Sequence, residues 1–339
     1  MKAWEVRDGV PVWTSAEPPE PRPDETLIEV AFSGICGSDL AKITKRPVPG
    51  PGDGWRPGHE IVGRDRTPGG RGAMSLVDPL IPCGDCACCE TGDTHLCPAL
   101  RRLGWDLPGG FAEYVVAPKA NVWALPEGAD PAQGVLADAL AVAVHGVRCG
   151  LRPAGAGRLA VIGSGPLAWC SAAYAVASGW SVTVVVRDPR RSSAVAPHIA
   201  CRQVLLSEAP VGGFDAVIDA ASGRDDLPLR AALSLVRDGG SVLVQNAYDP
   251  GVRLGADLRD VFRRSVSLTG SFSYCRRHGA GDFRTAVDLL AARPDWAAPL
   301  AGRRYPLGDL PAAVAAVTAG TDPARPLKAV LVPEDPSHG

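Results

Sequence analysis

The stretch RLAVIGSGPLA, residues 158–168, decides the fold class of this chain of 339 residues. A short apolar run leads into a turn with the pattern Gly-x-Gly-x-x-Ala, formed by Gly163, Gly165 and Ala168. An Ala-rich segment follows and ends near Gly179. The first glycine permits a tight turn, the second lets a ligand approach the backbone, and the small third residue lets a helix pack on the strand. The stretch therefore predicts a strand, a turn and a helix whose N-terminus binds a dinucleotide pyrophosphate.

Apolar segments after this turn alternate between strand and helix patterns. Strands are predicted at residues 158–163, 181–186, 214–220, 241–245 and 266–270, and a helix at 227–236 that ends at Asp238-Gly239-Gly240. Such alternation indicates a doubly wound parallel sheet with both faces covered, a Rossmann cofactor domain that we assign to residues 151–274. The residues expected to contact the cofactor at the turn are Gly163, Ser164, Gly165, Pro166 and Leu167.

The segment after the second predicted strand bears on the choice between NAD and NADP. In NAD-binding proteins an acidic residue about 20 residues after the glycines contacts the ribose hydroxyls. Arg187 stands at that position, Asp188 follows it, and Arg191 lies nearby. An arginine can pair with the 2′-phosphate of NADP, whereas a carboxylate would repel it. We therefore expect Arg187 and Arg191 to favour NADP, with the alternative that Asp188 occupies this position and the arginines are only solvated.

The remainder of the chain differs in composition and in the length of its apolar runs. Residues 1–150 are rich in Pro and Gly and contain short apolar runs, which predict an irregular, mostly β domain. Strands are expected at residues 26–32, 60–64 and 111–117. After Tyr274 the pattern predicts helices at 282–292 and 310–318 and a strand at 327–332. We expect this tail to close back on the first domain, so that residues 1–150 and 275–339 form one unit.

Four closely spaced cysteines predict a metal site in the first domain. They are Cys83, Cys86, Cys89 and Cys97. Four thiolates suit Zn²⁺ and leave it no open position, so this zinc should be structural. Cys88 could in principle replace Cys89, although the spacing of two residues on each side of Cys86 favours Cys89.

Composition excludes several function classes. The net charge of −2 shows no excess of positive charge that would attract nucleic acid or an anionic membrane. The N-terminus lacks the apolar core of a signal peptide, and there is no stretch of about 18 uninterrupted apolar residues. We expect a cytoplasmic protein in a reducing setting, where closely spaced cysteines favour metal over disulfides.

Further metal-ligand types occur in three other segments. Cys36 lies in the run Cys-Gly-Ser-Asp, His59 precedes Glu60, and Asp138 precedes an Ala- and Val-rich helix pattern. Taken singly, each residue has an ordinary interpretation. A lone cysteine is usually a core residue, a lone histidine is usually surface-exposed or hydrogen-bonded, and an aspartate often caps a helix.

The order of these motifs resembles that of the zinc-containing medium-chain dehydrogenases, which include alcohol, sorbitol, threonine and aminocyclitol dehydrogenases. The resemblance spans essentially the whole chain and implies a GroES-like β catalytic domain beside the Rossmann domain. It further implies that Cys36, His59 and Asp138 bind a catalytic zinc, which gives two zinc ions per chain. By the same resemblance Glu60 lies beside that metal, as a neighbour or an alternating ligand, and Ser38 accepts the proton of the zinc-bound alcohol. Lys328 matches a position that contacts the cofactor pyrophosphate in that family, with the alternative that it is a solvated lysine at a strand edge.

The resemblance implies a zinc- and NAD(P)-dependent oxidoreductase acting on a small alcohol or ketone. Basic residues after the Cys36 motif, among them Lys42 and Lys45, suggest a polar polyol, cyclitol or sugar-like substrate with a secondary alcohol. We further expect a homo-dimer or homo-tetramer. The alternatives are a zinc-free or weakly active medium-chain reductase and, less consistent with the motifs, a non-enzymatic zinc-binding interaction protein.

Two departures from the family pattern concern the active site. Ala139 follows Asp138 where the family usually has proline. Ala41 occupies the place of a histidine that often ends the proton relay, so Lys42 or a water molecule would have to take the proton from Ser38.

Overall fold

The computed structural model describes residues 1–43, 54–67, 72–151, 157–193, 195–221, 223–277, 281–319 and 325–334. Its contacts divide the chain into two compact units. The first consists mainly of Met1–Asp138, Cys275–Thr321 and Arg325–Gly339, and the second of Ala139–Tyr274. The sequence analysis placed the first boundary at residue 150, whereas here it follows Asp138. The reason is that Gly146 and Gly150 lie close against Leu243 of the second unit.

The elements of the first half of the chain are short strands with few helices. They are β1 (Lys2–Arg7), β2 (Val10–Ser15), β3 (Glu25–Gly34), α1 (Gly37–Ile43), β4 (Glu60–Asp65), β5 (Met74–Val77), β6 (Leu80–Ile81), α2 (Ala87–Glu90), β7 (Arg101–Arg102), β8 (Tyr114–Pro118), β9 (Val122–Ala124) and α3 (Ala137–Gly150).

In the second half, strands and helices alternate before the tail begins. The elements are β10 (Arg158–Ile162), α4 (Pro166–Ala177), β11 (Ser181–Val186), β12 (Arg202–Leu205), β13 (Phe214–Asp219), α5 (Leu227–Leu235), β14 (Val236–Val244), α6 (Leu258–Arg263), β15 (Ser267–Gly270), α7 (Gly281–Ala292), α8 (Pro294–Ala297), β16 (Arg303–Pro306), α9 (Leu310–Thr318) and β17 (Ala329–Val332).

The second unit is built on a parallel sheet of six strands within the described residues. Its strand order is β12-β11-β10-β13-β14-β15. Numbered from β10, this is 3-2-1-4-5-6, the order of doubly wound dinucleotide-binding folds. Buried β-branched side chains of the central strands, such as Val161, Val184 and Ile218, explain why this region reads as near-continuous apolar runs. The predicted Rossmann domain is confirmed.

The first unit contains a mixed sheet in which the tail of the chain takes part. Its strand order is β16-β17-β3-β4-β5-β9, with β8 paired to β3 as well. β17 runs antiparallel to β3 and pairs Val330 with Gly34. The tail of the chain therefore forms part of the sheet of the first unit. This pairing also brings residues from opposite ends of the chain to one edge of β3.

One local prediction needs correction. The segment Asp238-Gly239-Gly240 does not end a helix, because α5 already stops at Leu235 and these residues lie within β14. Their glycines fit an irregular strand start, where the register with β13 shifts and Gly239 adopts a φ of 71°.

In the described part of the chain, no helix combines the length and apolarity needed to span a membrane.

Candidate active site and cofactor site

Cys36 lies in the short connection between β3 and α1. Asp39, three residues on, accepts a hydrogen bond at Oδ2 from the Cys36 backbone N–H, at 3.1 Å. The Cys36 carbonyl accepts from the Leu40 N–H at 3.1 Å, so the helix begins at this residue. A side chain in the first turn that bonds back to the residue preceding the helix is a capping arrangement. It fixes the backbone that carries the Cys36 thiol.

The same aspartate orients His59, which directly precedes β4. Asp39 Oδ1 lies 3.3 Å from His59 Nδ1, and Asp39 is only 2% exposed. An Nδ1–H that donates to a carboxylate leaves the lone pair on Nε2, which is the usual way in which a ligating histidine is held. Burial lowers the pKa of His59, but the charges of Asp39 and Cys36 outweigh it and hold that pKa well above its usual value.

Glu60 forms a buried ion pair with Lys328. Both Glu60 carboxylate oxygens lie 2.5 Å from Lys328 Nζ, and both residues are 2% exposed. Gly34 stands opposite Glu60 in the β3–β4 pairing, and a Cβ there would lie 2.1 Å from Glu60 Oε2. Only glycine leaves room for this carboxylate. The predicted contact between Lys328 and the cofactor stays a prediction, since its amine has a buried partner here.

Asp138 approaches His59 from the start of α3. Its Oδ2 lies 3.9 Å from His59 Nε2, the nitrogen that Asp39 leaves available. Asp138 lies within the first helical turn, because α3 begins at Ala137, so it is not the residue that caps the helix.

The donor set fits a zinc ion. Sγ of Cys36, a nitrogen of His59 and a carboxylate oxygen of Glu60 lie within 4.8 Å of one another. Ligand atoms on a tetrahedral zinc lie roughly 3.4 Å apart when the bonds are about 2.1 Å, and sulfur widens that separation. Thiolate, imidazole and carboxylate are all zinc ligands. A zinc bound by three protein groups would keep one position for a water or an alcohol.

Ser38 and Lys42 lie four residues apart on α1, immediately after Cys36. Ser38 is half-buried, whereas Lys42 is 9% exposed. Its Nζ lies 4.9 Å from the ring centre of Trp55 and also over the ring of Trp105. The Lys42 amine has no hydrogen-bond partner within the described residues. Burial lowers the pKa of Lys42 to about 7. Lys45 lies outside the described residues.

The four predicted cysteines converge around one point. The Sγ–Sγ distances are 3.8 Å between Cys83 and Cys89, 3.5 Å between Cys86 and Cys89, and 3.4 Å between Cys83 and Cys97. Four sulfurs bound to zinc at about 2.3 Å would stand roughly 3.8 Å apart. Backbone N–H groups of Cys83 and Gly84 donate to two of these sulfurs, as expected for thiolates. The cluster includes Cys89 and not Cys88.

The glycine turn of the second unit joins β10 to α4. Gly163 has a φ of 137°, and a Cβ on it would lie 2.6 Å from the Ala220 carbonyl oxygen. Gly165 directly precedes α4, Pro166 is its first residue, and a Cβ added to Gly165 would meet nothing within 4 Å. Free N–H groups at the start of this 12-residue helix and the open space at Gly165 fit a pyrophosphate. Ser164 and Leu167 are half-buried in the same turn.

The arginines after β11 have different surroundings. Arg187 is exposed and shows no ion pair within the described residues. Asp188 accepts bonds from the backbone N–H and the guanidinium of Arg190 at 2.8–3.0 Å, which lowers the pKa of its carboxyl. Asp188 is thus already paired, and Arg187 is available to a ligand. The side chain of Arg191 lies outside the described part of the structure.

Known proteins share this arrangement of sequence and fold. Residues 22–127 match the alcohol dehydrogenase GroES-like domain. The chain is 30% identical to D-altritol 5-dehydrogenase of Agrobacterium fabrum, over 85% of this chain and 87% of that protein. The chain belongs to the zinc-containing medium-chain alcohol dehydrogenase family. L-galactonate-5-dehydrogenase of Escherichia coli is 28% identical, over 88% of this chain and 89% of its own length.

A solved structure extends the likeness to the whole fold. A protein assigned as a zinc-binding dehydrogenase from Sinorhizobium meliloti 1021, bound to NADP, superimposes with a TM-score of 0.83 at 27% identity. The alignment covers 98% of this chain and 99% of that one. As a member of the medium-chain alcohol dehydrogenase family, the chain is an oxidoreductase that transfers hydride between a nicotinamide nucleotide and an alcohol or carbonyl compound.

Sequence reasoning assigned no role to two residues that support the candidate site of this medium-chain dehydrogenase, Asp39 and Gly34. Asp39 was part of a quoted motif but received no role, although its spacing from Cys36 is that of a capping side chain. The role of Gly34 depends on its strand partner Glu60, and no local signal reveals it. Lys42 was named from the sequence as a possible proton acceptor, but its position over the rings of Trp55 and Trp105 could not be predicted.

Proposed function

We propose that the protein is a two-zinc, NADP-preferring dehydrogenase that interconverts a secondary alcohol of a polar polyol-like substrate and the corresponding ketone. The observation that carries the proposal is the convergence of Cys36, His59 and two carboxylates beside the end of β3, with Asp39 holding Nδ1 of the histidine. A cysteine or histidine with only a structural role would not require two carboxylates beside it.

In this proposal Cys36, His59 Nε2 and Asp138 hold the catalytic zinc. Glu60 is the other candidate, and its donor atom lies nearer to those of Cys36 and His59. Lys328, however, already neutralises Glu60 through both oxygens, whereas Asp138 approaches the available nitrogen of His59. We therefore assign Asp138 as the third ligand and Glu60 as a neighbour or alternating ligand. Cys83, Cys86, Cys89 and Cys97 hold the second, structural zinc.

The residues around the metal then have separate tasks. When bound, zinc acts as a Lewis acid that makes the alcohol a stronger acid or polarises the carbonyl. Asp39 keeps His59 in the tautomer that can ligate. Ser38 lies two residues from Cys36 and accepts the hydroxyl proton of the substrate. The hydride chemistry itself belongs to the nicotinamide nucleotide, which the second unit binds at its glycine turn.

The preference for NADP rests on Arg187 and Asp188. Arg187 is exposed at the end of β11, and Asp188 is paired with Arg190, so the carboxylate that would contact a ribose hydroxyl is occupied. The R187A variant should raise the KM for NADP at least 10-fold and leave that for NAD nearly unchanged. R230A, which alters an exposed arginine on α5 paired with Asp226, is the matched control. A wild-type preference for NAD would contradict this part of the proposal.

The substrate class is inferred from the polar segment after Cys36 and from relatives whose names specify position 5 of a sugar acid or an alditol. A panel of alditols, aldonates and cyclitols against long-chain aliphatic alcohols tests it. Higher kcat/KM for the polyhydroxy compounds is expected, and a preference for aliphatic alcohols would contradict it.

We also propose a cytoplasmic homo-oligomer that pairs through the edge strand β15. Large apolar side chains are exposed on and around it, with Phe262 81% exposed, Leu258 77% and Phe272 57%. Apolar groups beside an unpaired strand edge favour pairing with a second copy. Light scattering should show a dimer or tetramer that the double variant L258D/F262D reduces to a smaller species, whereas V211D, at another exposed apolar residue, should not.

A further inference from the structure

A further group of metal-ligand side chains lies in the first unit, and none of its members belongs to either proposed zinc site. It consists of Asp93, His95 and Cys275, whose ligand atoms lie within 4.8 Å of one another. Cys275 is only 1% exposed. A buried free cysteine usually behaves as a small apolar residue. Here a carboxylate and an imidazole stand beside the thiol, a polar setting that packing alone does not require.

The tail of the chain packs on the loop of the four cysteines and so brings this group together. Two members lie in that loop, and the third, Cys275, belongs to the tail. The Gly92 carbonyl accepts a hydrogen bond from the Arg276 N–H at 3.1 Å. Gly92 has a φ of 81°, and a Cβ on it would lie 2.9 Å from the Cα of Arg277. Close contact of the two backbones at Gly92 therefore holds the thiol against the loop.

Hydrogen bonds already hold two of the three donors in place. The Cys275 backbone N–H donates to Asp282 Oδ2 at 3.0 Å, which fixes the backbone that carries the thiol. Asp93 Oδ2 accepts from the Arg277 guanidinium and from the Thr91 hydroxyl, so within the described residues Asp93 Oδ1 remains available. Ligating side chains are commonly held by such outer contacts.

The chemistry of the three donors suits zinc, and an ion has a route to them. Thiolate, imidazole and carboxylate are all zinc ligands. Donor atoms on a tetrahedral zinc stand roughly 3.4–3.8 Å apart, so small side-chain rotations would bring these three to one ion. A cavity of about 460 Å³ adjoins the group, and its walls include Thr94, between the two loop members, and Arg276, directly after Cys275. Such a cavity supplies the entry path that a metal site requires.

We propose that Asp93, His95 and Cys275 form a third metal site, which takes up Zn²⁺ from solution and fastens the cysteine loop to the tail. Three protein ligands leave the fourth position to a water molecule from the cavity. The positive charge of Arg277 beside Asp93 opposes an incoming cation, so this site binds more weakly than the two proposed above and fills only when zinc is added. An ion that binds the folded protein alone stabilises it, so occupancy should raise the stability of the first unit.

Zinc titration of the full-length, two-zinc protein tests the proposal. After dialysis against a weak chelator, wild type should take up one further Zn²⁺ per chain in a calorimetric titration. C275A should lose this uptake, whereas C170A, which removes another buried thiol from the second unit, should keep it. D93N should bind the additional zinc at least about 10-fold more weakly. No further uptake by wild type, or equal uptake by C275A and wild type, would overturn the proposal.

Cobalt identifies the thiol directly. Co²⁺ bound to a thiolate absorbs in the near ultraviolet through charge transfer from sulfur to the metal. Addition of one equivalent of Co²⁺ to the two-zinc protein should produce this band in wild type and C170A but not in C275A. A band of equal strength in C275A would show that cobalt binds other cysteines, and the proposed site would be refuted.

Thermal melting tests whether the ion joins the two segments. Zinc at about 100-fold its dissociation constant should raise the melting temperature of wild type by about 5 °C and leave that of C275A unchanged. If C275A does not fold, D93N serves in the same comparison, because asparagine keeps the size of the side chain. The same rise in wild type and in these variants would contradict a site built from Asp93 and Cys275.

Discussion

At the scale of single residues, Asp39 is the residue on which the proposed catalytic metal site depends most. Its two oxygens serve two purposes, since one fixes the backbone of Cys36 and the other fixes the ring of His59. An aspartate in this place sets both the position of one ligand and the protonation of another.

We expect the variant D39N to lower zinc affinity by about 10- to 100-fold. Asparagine can still accept from the Cys36 N–H, but its amide would donate to His59 Nδ1. The ring would then carry its proton on Nε2, the nitrogen needed for zinc. Competition with a chelator measures the affinity, and D24N, at an exposed acid, is the control. Equal zinc affinities of D39N and wild type would refute this account of the histidine.

Lys42 predicts a pH dependence of stability at the same scale. Its pKa falls from 10.5 to about 7 on folding, so between these values the unfolded chain binds more protons than the folded one. The contribution of Lys42 to the free energy of unfolding should therefore drop as pH falls from about 10.5 to 7, by about 1.4 kcal/mol per pH unit at most, and stay constant below.

The variant K42M removes the amine and keeps a similar side-chain length. Its melting temperature minus that of wild type should increase as pH is lowered from 10 to 7 and then level off. Scanning both proteins across this range measures the difference, in which the other titrating groups cancel. A difference that does not change with pH would contradict the buried, weakly basic amine.

At the scale of elements, the strand order β17-β3-β4 assembles the surroundings of the proposed metal site. It places Lys328, Gly34 and Glu60 side by side, although Lys328 is 268 residues from Glu60 in sequence. The pairing of β17 with β3 thus couples the tail of the chain to the site. Removing one partner of such a buried pair typically costs about 3–5 kcal/mol, because the other charge is left unpaired.

The variant G34A should destabilise the first unit by about 1–3 kcal/mol and displace Glu60, since the new Cβ would lie 2.1 Å from its Oε2. G37A is a matched control three residues away, because a Cβ there would meet nothing within 4 Å. Urea denaturation measures both. A G34A protein as stable as G37A would contradict the tight placement of Glu60 against β3.

The glycine turn between β10 and α4 permits a similar comparison. Gly165 has an ordinary φ of −88° and open space at its Cβ position, so G165A should keep the stability of wild type but weaken NADP binding at least 10-fold. G163A should instead lower stability, because its φ of 137° and the nearby Ala220 carbonyl disfavour any side chain. Calorimetry and thermal melts separate the two effects. Unchanged NADP affinity in G165A would contradict the pyrophosphate assignment.

At the scale of the whole molecule, elements with a regular local apolar pattern could be predicted from the sequence. Elements and contacts that depend on pairing between distant segments could not. The strands of the parallel sheet were recognisable from runs such as Val182–Val186, whereas β12 was missed because Arg202 and Gln203 interrupt its apolar pattern. The β1–β2 hairpin was also missed, although Asp8-Gly9 at its turn is a strong hairpin signal.

The proposed metal ligands could be named from short motifs, but the residues that contact them could not. Cys36, His59 and the four cysteines of the loop stand in recognisable spacings. The partnership of Glu60 with Lys328 and the burial of Lys42 beside Trp55 arise only when distant segments pack together. Sequence patterns describe neighbours along the chain, and these contacts join residues that are neighbours only in the folded state.

The central claim is that two zinc ions bind to each chain and that one of them is required for turnover. Metal analysis of the full-length protein together with its C36A and C89S variants, with C88S as control, tests this most directly. We predict two zinc ions in wild type and C88S and one in each of the other two. C36A should lose turnover while NADP binding stays unchanged. Full turnover in a C36A protein that holds a single zinc would contradict the account.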